Sequence, residues 1–148
     1  MQEIELSNGH KVVVDDDAFD YLSQWKWYAT GKYAIRRGGI LMHREIMQPP
    51  KNLQVDHING DTKDNRRQNL RLCTAGQNRM NRRTHARNNR SGYKGVLWEK
   101  RKRRWMAQLR YQTRKVFGGY FKDVTDAARA YDRMAIKYFG EFARINGC

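Results

Sequence analysis

Cysteine and long apolar runs are scarce in this chain. Its two cysteines, Cys73 and Cys148, lie far apart and belong to no Cys-x-x-Cys or mixed Cys/His cluster. This excludes a disulfide scaffold and predicts free, reduced thiols and no structural zinc. No apolar stretch approaches the roughly 18 residues of a membrane-spanning helix. Because Met1–Glu5 lacks the basic and apolar regions of a signal peptide, we expect a cytoplasmic protein that binds no membrane. We also expect no small-molecule cofactor.

Acidic residues are also scarce, but only in the later part of the chain. The 148 residues include 30 Lys and Arg against 15 Asp and Glu, a formal net charge of +15. Residues 1–60 carry 7 basic and 8 acidic side chains, whereas residues 61–148 carry 23 and 7. Such a surplus attracts polyanions and gains affinity by releasing phosphate counterions. DNA, RNA and acidic lipid would each satisfy the charge alone, and lipid is the weakest of the three.

The segment from Val55 to Asn78 is the most informative part of the chain. It combines an acid, a histidine and several amides in the runs Val-Asp-His-Ile-Asn-Gly-Asp (55–61), Asn-Arg-Arg (65–67), Asn-Leu-Arg (69–71) and Gln-Asn (77–78). Hydrolysis of a phosphodiester with one metal ion needs oxygen ligands, a base for the attacking water and a group that holds the base. A lone Asp-His pair is more often a turn or a surface pair. The spacing of the further asparagines is what favours a metal-dependent nuclease.

These residues resemble the HNH nuclease family, specifically its phage and intron homing branch. In that branch Asp-His is followed twelve residues on by Asn and nine further on by another Asn, as at His57, Asn69 and Asn78. The resemblance covers roughly residues 10–82, where Trp-Lys-Trp-Tyr and His-Arg-x-Ile-Met also match. It implies a ββα-metal unit in which His57 is the general base and Asn69 fixes its imidazole. Asp56 and Asn78 would ligate the metal.

The implied ligand pair favours a hard cation. One carboxylate and one amide supply two oxygen ligands, and phosphate and water would complete the shell. That set suits Mg²⁺ better than zinc, with Mn²⁺ also possible.

Local patterns predict the elements around this segment. Asn8-Gly9 indicates a hairpin between Ile4–Leu6 and Val12–Val14. A helix is expected from Asp15 onward, with Phe19, Leu22 and Trp25 as its buried stripe. The remaining predicted elements of this part are strands at 25–30, 32–37, 54–57 and 70–73, a short helix at 43–47 and a helix from Thr74 to about Arg82.

His43 is a candidate for a second catalytic histidine. The alternative, that it packs or caps at the start of the short helix, is favoured. His10 in a turn and His85 in a basic stretch have no convincing chemical partner.

A basic stretch separates two modules. Arg79–Ser91 contains five arginines and three asparagines and almost nothing to bury. The interpretation is a nuclease domain at 1–82, a basic linker at 83–91 and a DNA-binding domain at 92–148. We expect the linker to be solvated and also to lie along a phosphate backbone or in a minor groove, since arginine suits both. The candidate DNA-binding residues of the basic stretch are Arg82, Arg83 and Arg87.

The second module is predicted to contain three strands and one helix. The strands are expected at 94–98, 104–111 and 115–121, and the helix runs from Val124 to about Phe139 and ends at Gly140. Along the middle strand Trp105, Ala107, Leu109 and Tyr111 should face the helix, leaving Arg104, Met106, Gln108 and Arg110 on the other face. The whole chain is therefore an α+β protein: a nuclease module joined by the basic linker to a three-stranded antiparallel sheet packed on one helix.

This module resembles the plant Apetala-two/ethylene-response-factor DNA-binding domain over about residues 91–146. The matching segments are Tyr-Lys-Gly-Val (93–96), Trp-x-Ala-x-Leu-Arg (105–110), Gly-Tyr-Phe (119–121), Ala-Ala-x-Ala-Tyr-Asp (127–132) and Phe-Gly-Glu-Phe-Ala-Arg-x-Asn (139–146). By that resemblance the positions facing DNA are Lys94, Gln108, Arg110, Lys115 and Phe117. Leu97 departs from the family, whose members usually place an arginine there, and Glu99 also lies on the outward side. Arg104 closes a basic turn, 100–104, for which phosphate contact is favoured over a solvated hairpin.

Together the modules predict a DNA endonuclease of the HNH homing type acting on double-stranded DNA. A tethered reader would raise the local concentration and specificity of a small cutter. One site in a monomer could only nick, whereas a homodimer could cut both strands, and the sequence leaves that choice open. The competing hypothesis is a non-catalytic DNA-binding regulator on a decayed nuclease scaffold. An RNA-binding protein is the least favoured alternative.

Overall fold

The computed structural model describes residues 1–82 and 89–148, and this part of the chain folds as two compact units, Met1–Asn78 and Arg79–Cys148. Each unit combines helix with antiparallel sheet and has an apolar core of its own, so the expected mixture of helix and strand is confirmed. Among the described helices none is long and apolar enough to cross a membrane. Residues 83–88, most of the expected linker, lie outside the described residues.

The first part of the chain consists of short elements. In chain order they are β1 (Gln2–Glu5), β2 (Lys11–Val14), α1 (Asp16–Ser23), β3 (Trp27–Thr30), β4 (Tyr33–Arg36), β5 (Ile40–Leu41), α2 (Met42–Met47), β6 (Gln54–His57), a 3₁₀ turn (Arg67–Asn69), β7 (Leu70–Cys73) and α3 (Ala75–Asn81). β1 pairs with β2, β3–β4–β5 form a three-stranded sheet, and β6 pairs with β7. All of these pairs are antiparallel.

The core of the first unit gathers one side chain or more from most of these elements. Val12 and Val14 of β2, Leu22 of α1 and Trp27 of β3 are almost fully buried. The Trp27 indole nitrogen donates a hydrogen bond to the Leu22 carbonyl (2.8 Å), which gives the buried ring a polar partner. The expected first hairpin is confirmed, and its Gly9 has a positive φ of 79° that suits glycine.

One expectation for this unit is wrong, and one of its strands is missing from the sequence interpretation. Trp25 does not belong to a buried stripe: it follows α1, is 40% exposed, and lies under the Arg36 guanidinium, 4.3 Å from the ring centroid. Ala18 takes its place among the buried residues of the helix. The missing strand is the two-residue β5, which pairs with β4 and follows Gly38 and Gly39, both of which have a positive φ.

The pair β6–β7 and the helix α3 have the boundaries that the sequence predicts to within a residue. The register pairs Asp56 with Arg71 and His57 with Leu70. Thr74 caps α3 as expected: its hydroxyl accepts from the Gln77 amide (3.3 Å), while the Gln77 side chain accepts from the Thr74 amide (2.8 Å). This reciprocal capping box fixes where the helix begins.

The second unit has one sheet and one long helix. Its elements are β8 (Val96–Glu99), β9 (Arg104–Tyr111), β10 (Arg114–Phe121), α4 (Val124–Phe139) and a 3₁₀ turn (Gly140–Phe142). β9 lies between β8 and β10, antiparallel to both. Asp123 caps α4 by accepting from the Thr125 amide at 2.7 Å and the Asp126 amide at 3.3 Å. Alanines and aromatic rings fill the space between helix and sheet.

Two glycine positions let the helix approach the sheet closely. A Cβ on Gly95 would lie 2.0 Å from the Tyr131 ring, and the φ of Gly95 is +73°. A Cβ on Gly118 would lie 2.4 Å from the Met134 methyl group. Gly118 is also the extra residue of a bulge, because Phe117 pairs with Gln108 and Gly119 with Ala107.

Candidate functional site

His57 ends β6 and is buried, with only 4% of its surface exposed. Burial lowers the pKa of its imidazole from the usual value, and the Asn65 hydrogen bond and nearby carboxylates oppose that shift only in part. The residue is therefore neutral at neutral pH. A neutral imidazole has one nitrogen able to accept a proton, which is what a general base requires.

Asn65 determines which nitrogen that is. Its Oδ1 lies 3.2 Å from His57 Nε2, and its Nδ2 lies 3.5 Å from the carbonyl oxygens of Thr62 and Lys63. Carbonyls only accept hydrogen bonds, so the amide nitrogen must face them and the oxygen must face the histidine. Nε2 then carries the hydrogen, and Nδ1 is the basic nitrogen of the neutral ring.

Asn69, expected to hold the imidazole, instead closes the loop that leads away from it. Its Oδ1 accepts from the Asn59 amide (3.0 Å), and its Nδ2 donates to the Asp64 carbonyl (2.7 Å). Its own carbonyl accepts from the Ile58 amide (2.8 Å). Asn69 thus links the start of the loop, at residues 58 and 59, to residue 64. The side-chain amide that contacts the His57 ring is that of Asn65.

The same loop, residues 58–69, is anchored to the N-terminal hairpin. The Val13 amide donates to the Lys63 carbonyl and the Asn65 amide to the Val13 carbonyl, both at 2.8 Å, in a parallel bridge. Arg66 holds Asp64 with two bonds of 2.7 Å, and this contact keeps the pKa of the Asp64 carboxyl below its usual range. These bonds fix Asn65, which is 1% exposed, beside His57.

Two further rings pack against His57. The His43 ring of α2 meets it edge to face, with centroids 5.1 Å apart, and the Tyr33 ring lies 6.2 Å away. His43 is 6% exposed, and burial, together with the nearby His57 and Arg44, lowers its pKa to about 4. It is therefore a neutral packing ring. This agrees with the favoured interpretation, in which His43 packs. The ring that it packs against is that of His57, the candidate general base.

Asp56 and Asn78, the expected metal ligands, are both near the β6 strand. Asp56 is 7% exposed, and its Oδ2 accepts from Arg71 Nε (3.0 Å) and Nη2 (2.8 Å) across the strand pair. Asn78 Nδ2 donates to the Gln54 side chain (2.8 Å). Strand alternation places Gln54 on the same side of β6 as Asp56. Since its nitrogen is used in that bond, the Asn78 oxygen is the atom that could bind a cation.

The donor set of the site suits an oxygen-seeking cation but is sparse. Asp56 and Asn78 supply hard oxygen ligands, and the Arg71 guanidinium competes with a cation for the Asp56 carboxylate. Over residues 1–82 and 89–148 there is no group of three or more His, Cys, Asp or Glu arranged to hold a metal. A cation here would take its remaining ligands from water and from a phosphate group.

The candidate DNA-binding residues of the second unit are placed unequally. Gln108 and Arg104 on β9 are half-buried, and Arg110, Lys115 and Phe117 are exposed. Lys94 differs from these: its ammonium group donates to the Met80 carbonyl, and burial together with Arg144 lowers its pKa to about 8.

The candidates near the linker can be placed only in part. Arg82 is exposed, whereas Arg83 and Arg87 lie outside the described residues.

Sequence reasoning missed three residues of this site. Asn65 is within the motif but has no assigned role, and Tyr33 carries no signal in its strand. Arg71 lies in the matching run, yet its pairing with Asp56 depends on the strand register. The period-two pattern of β6 and β7 could have suggested that pairing.

Comparison with known proteins identifies one family. A family model described as HNH endonuclease matches residues 48–80. An uncharacterized HNH endonuclease of Acanthamoeba polyphaga mimivirus is 32% identical, over 88% of this chain and 71% of the relative. Protein 3.8 of Escherichia phage T7 is 29% identical, over 65% of this chain and 78% of the relative. No solved structure gives a significant match.

Proposed function

Because the chain belongs to the HNH endonuclease family, we propose that it is a homing-type endonuclease that cuts double-stranded DNA with His57 as general base. The observation that carries the proposal is the buried, neutral His57 whose Nε2 is engaged by Asn65. Family membership indicates DNA nuclease activity, and the surplus of basic residues after residue 60 suits a polyanionic substrate.

In the proposed reaction His57 Nδ1 accepts a proton from water, and the resulting hydroxide attacks the phosphorus in line with the 3′-oxygen. The bond between phosphorus and that oxygen breaks, and the departing oxygen takes a proton from solvent water. Asn65 holds the imidazole by its Nε2 hydrogen, so that Nδ1 keeps its direction during proton transfer. Asn69 is a positioning residue, acting through the loop that carries Asn65. Family analogy gives products with a 5′-phosphate and a 3′-hydroxyl.

Asp56 and Asn78 would hold a divalent cation, which their hard oxygen ligands suggest is Mg²⁺, with Mn²⁺ as the alternative. When bound, such a cation polarises the scissile phosphate and stabilises the negative charge on the departing oxygen. Arg71 orients the Asp56 carboxylate across the strand pair through hydrogen bonds from its Nε and Nη2.

We further propose that the second unit reads DNA with the face of its sheet turned away from α4. This rests on the exposed Arg110, Lys115 and Phe117 on one face, and on the resemblance of 91–146 to the Apetala-two/ethylene-response-factor domain. Arg104, Lys94, Arg82, Arg83 and Arg87 would add contacts to phosphates. The Met80 carbonyl holds the Lys94 ammonium, so that contact would require Lys94 to change partner.

Supercoiled-plasmid cleavage tests the chemistry. The natural chain should convert plasmid to open-circular or linear DNA with Mg²⁺ or Mn²⁺ and not with chelator, and His57→Ala should bind the plasmid without cutting it. Arg110→Ala should weaken binding and leave the rate of cutting on bound DNA unchanged. Loss of both properties in either variant would contradict the division of labour, and open-circular product alone would identify a nicking enzyme.

One observation favours the second candidate, a non-catalytic DNA-binding regulator. The Asp56 carboxylate is already paired with Arg71, as expected if a nuclease scaffold had lost its cation. Calorimetric titration of the chain with Mn²⁺, compared with Asp56→Ala, separates the two functions. Heat of binding that disappears in Asp56→Ala supports the enzyme, whereas equal traces support the regulator.

A further inference from the structure

The sheet of the second unit has an outer face with an ordered arrangement of side chains. Ala107 and Leu109 of β9 are buried against α4, so alternation turns Met106, Gln108 and Arg110 outward. The strand register then aligns outward residues in rows that cross the sheet. Phe117 of β10 lies on the same outer face and is 57% exposed.

The middle of this face is apolar with a single amide. One row contains Leu97, Met106 and Tyr120, and the next contains Gln108 and Phe117. Leu97 is 46% exposed and Tyr120 38% exposed. Together these five residues are called the central rows below.

Cationic residues flank the central rows at both ends. Arg110 and Lys115 form the next row on one side. Arg104, paired with Glu99, and the basic turn before it lie on the other side. A surface with cations at both ends and apolar groups in the middle complements duplex DNA, where phosphate strands border a groove floor of base edges.

The geometry of the aromatic rings on this face does not suit the stacking of nucleic-acid bases on them. The Phe117 and Tyr120 rings contact each other, with centroids 4.8 Å apart and planes tilted by 56°. The Lys102 ammonium lies 4.1 Å from the Tyr120 centroid and covers that ring. A platform for single-stranded nucleic acid presents open ring faces to successive bases. Here Lys102 covers the Tyr120 ring, and the Phe117 ring is tilted by 56° to it, so the two rings do not offer two parallel open faces.

We propose that the central rows recognise A·T base pairs in the major groove, with Phe117 and its apolar neighbours packed on thymine C5 methyl groups and Gln108 hydrogen-bonded to adenine. Adenine presents N6 and N7 to a glutamine amide, and thymine is the base with a methyl group at that edge. Gln108 and Phe117 are adjacent across the strands, so one base pair can meet both. The inference rests on the proposed reading of duplex DNA by this sheet and adds the base preference.

Replacing thymine by uracil tests the methyl contact without altering base pairing. The probes are three 30-base-pair duplexes, namely alternating A·T, the same sequence with deoxyuridine in place of thymidine, and alternating G·C, together with a 30-base single strand of thymidine. Affinities are measured by fluorescence anisotropy with the full-length His57→Ala chain in chelator. The thymine duplex should bind more tightly than the uracil duplex by roughly fourfold for each methyl group buried.

Phe117→Ala should weaken binding to the thymine duplex and lower the ratio of the two affinities, because its apolar neighbours alone keep part of the methyl contact. Gln108→Ala should reduce the preference for A·T over G·C. The matched control is Ile136→Ala, a residue on α4 that is 58% exposed and should leave all affinities unchanged.

The other outcomes are distinguishable. If the His57→Ala chain binds the thymine and uracil duplexes equally and Phe117→Ala has no effect, the base preference is overturned, while the reading of duplex DNA by the sheet is not. Tighter binding of a single strand than of any duplex overturns it in favour of stacking. Absence of binding to every duplex, together with absence of plasmid cleavage, contradicts the proposed function itself.

Discussion

At the residue scale, the contact between the His43 and His57 rings is the most consequential detail of the site. An edge-to-face contact between two buried rings restricts rotation of both. Neutral His43 has no charge with which to bind phosphate, so its contribution comes from ring shape. We therefore expect His43 to act as a positioning residue for the proposed general base.

Substitutions at His43 separate ring packing from nitrogen chemistry. His43→Phe keeps a ring against His57 and should retain most of the cleavage rate on bound plasmid. His43→Ala removes the ring and should lower that rate by roughly tenfold to a hundredfold, because small misplacements of a reacting group are costly. DNA affinity should be unchanged in both. An inactive Phe variant that binds and folds normally would instead assign a chemical role to the nitrogens.

His43 also predicts how stability depends on pH. Its pKa is about 4 in the folded chain against 6.5 for an ordinary histidine, so the unfolded chain binds more protons between these values. The stabilisation from keeping His43 neutral is complete above pH 6.5 and is lost as pH falls towards 4, by about 3 kcal/mol at most. Denaturant unfolding at pH 7 and pH 4.5 should show a smaller loss for His43→Phe than for the natural chain. Equal losses would refute this origin.

At the element scale, the junction between β8 and α4 depends on a glycine. Gly95→Ala places a methyl group 2.0 Å from the Tyr131 ring at a positive φ, and should destabilise the second unit by about 3 kcal/mol or more. Gly92→Ala is the matched control: it shares a positive φ of 72° but has open space around the added carbon, so roughly 1 kcal/mol is expected. Thermal unfolding of both variants measures the difference. Equal melting temperatures would show that the close approach relaxes.

The elements differ in how far the sequence predicts them. The bounds of β6, β7, β9 and α4 follow from local alternation or from one apolar stripe, and the structure confirms them. The contact between Asn65 and His57 could not be predicted, because it depends on a loop that docks on β2 from distant sequence. The prediction that Trp25 is buried was wrong for a similar reason, because an aromatic residue near a helix end gives no sign that the guanidinium of a distant arginine will cover it.

At the scale of the whole molecule, the distribution of charge predicts salt dependence. Each phosphate contact that releases counterions contributes about 0.9 to the slope of log Kd against log salt concentration. In a His57→Ala background, Arg110→Ala should lower that slope by about one, because Arg110 lies on the proposed DNA-facing sheet. Lys26→Ala, which removes an exposed cation from the first unit, is the control and should leave the slope unchanged. Equal slopes in all three proteins would place the phosphate contacts elsewhere.

The parallel bridge between Val13 and the loop at 63–65 makes opening of that loop measurable by hydrogen exchange. The Val13 and Asn65 amide hydrogens are held in the same bridge, so solvent deuterium gains access to both only when that bridge opens. The exchange rate of an amide in the N-terminal hairpin therefore reports how often the loop beside His57 comes apart.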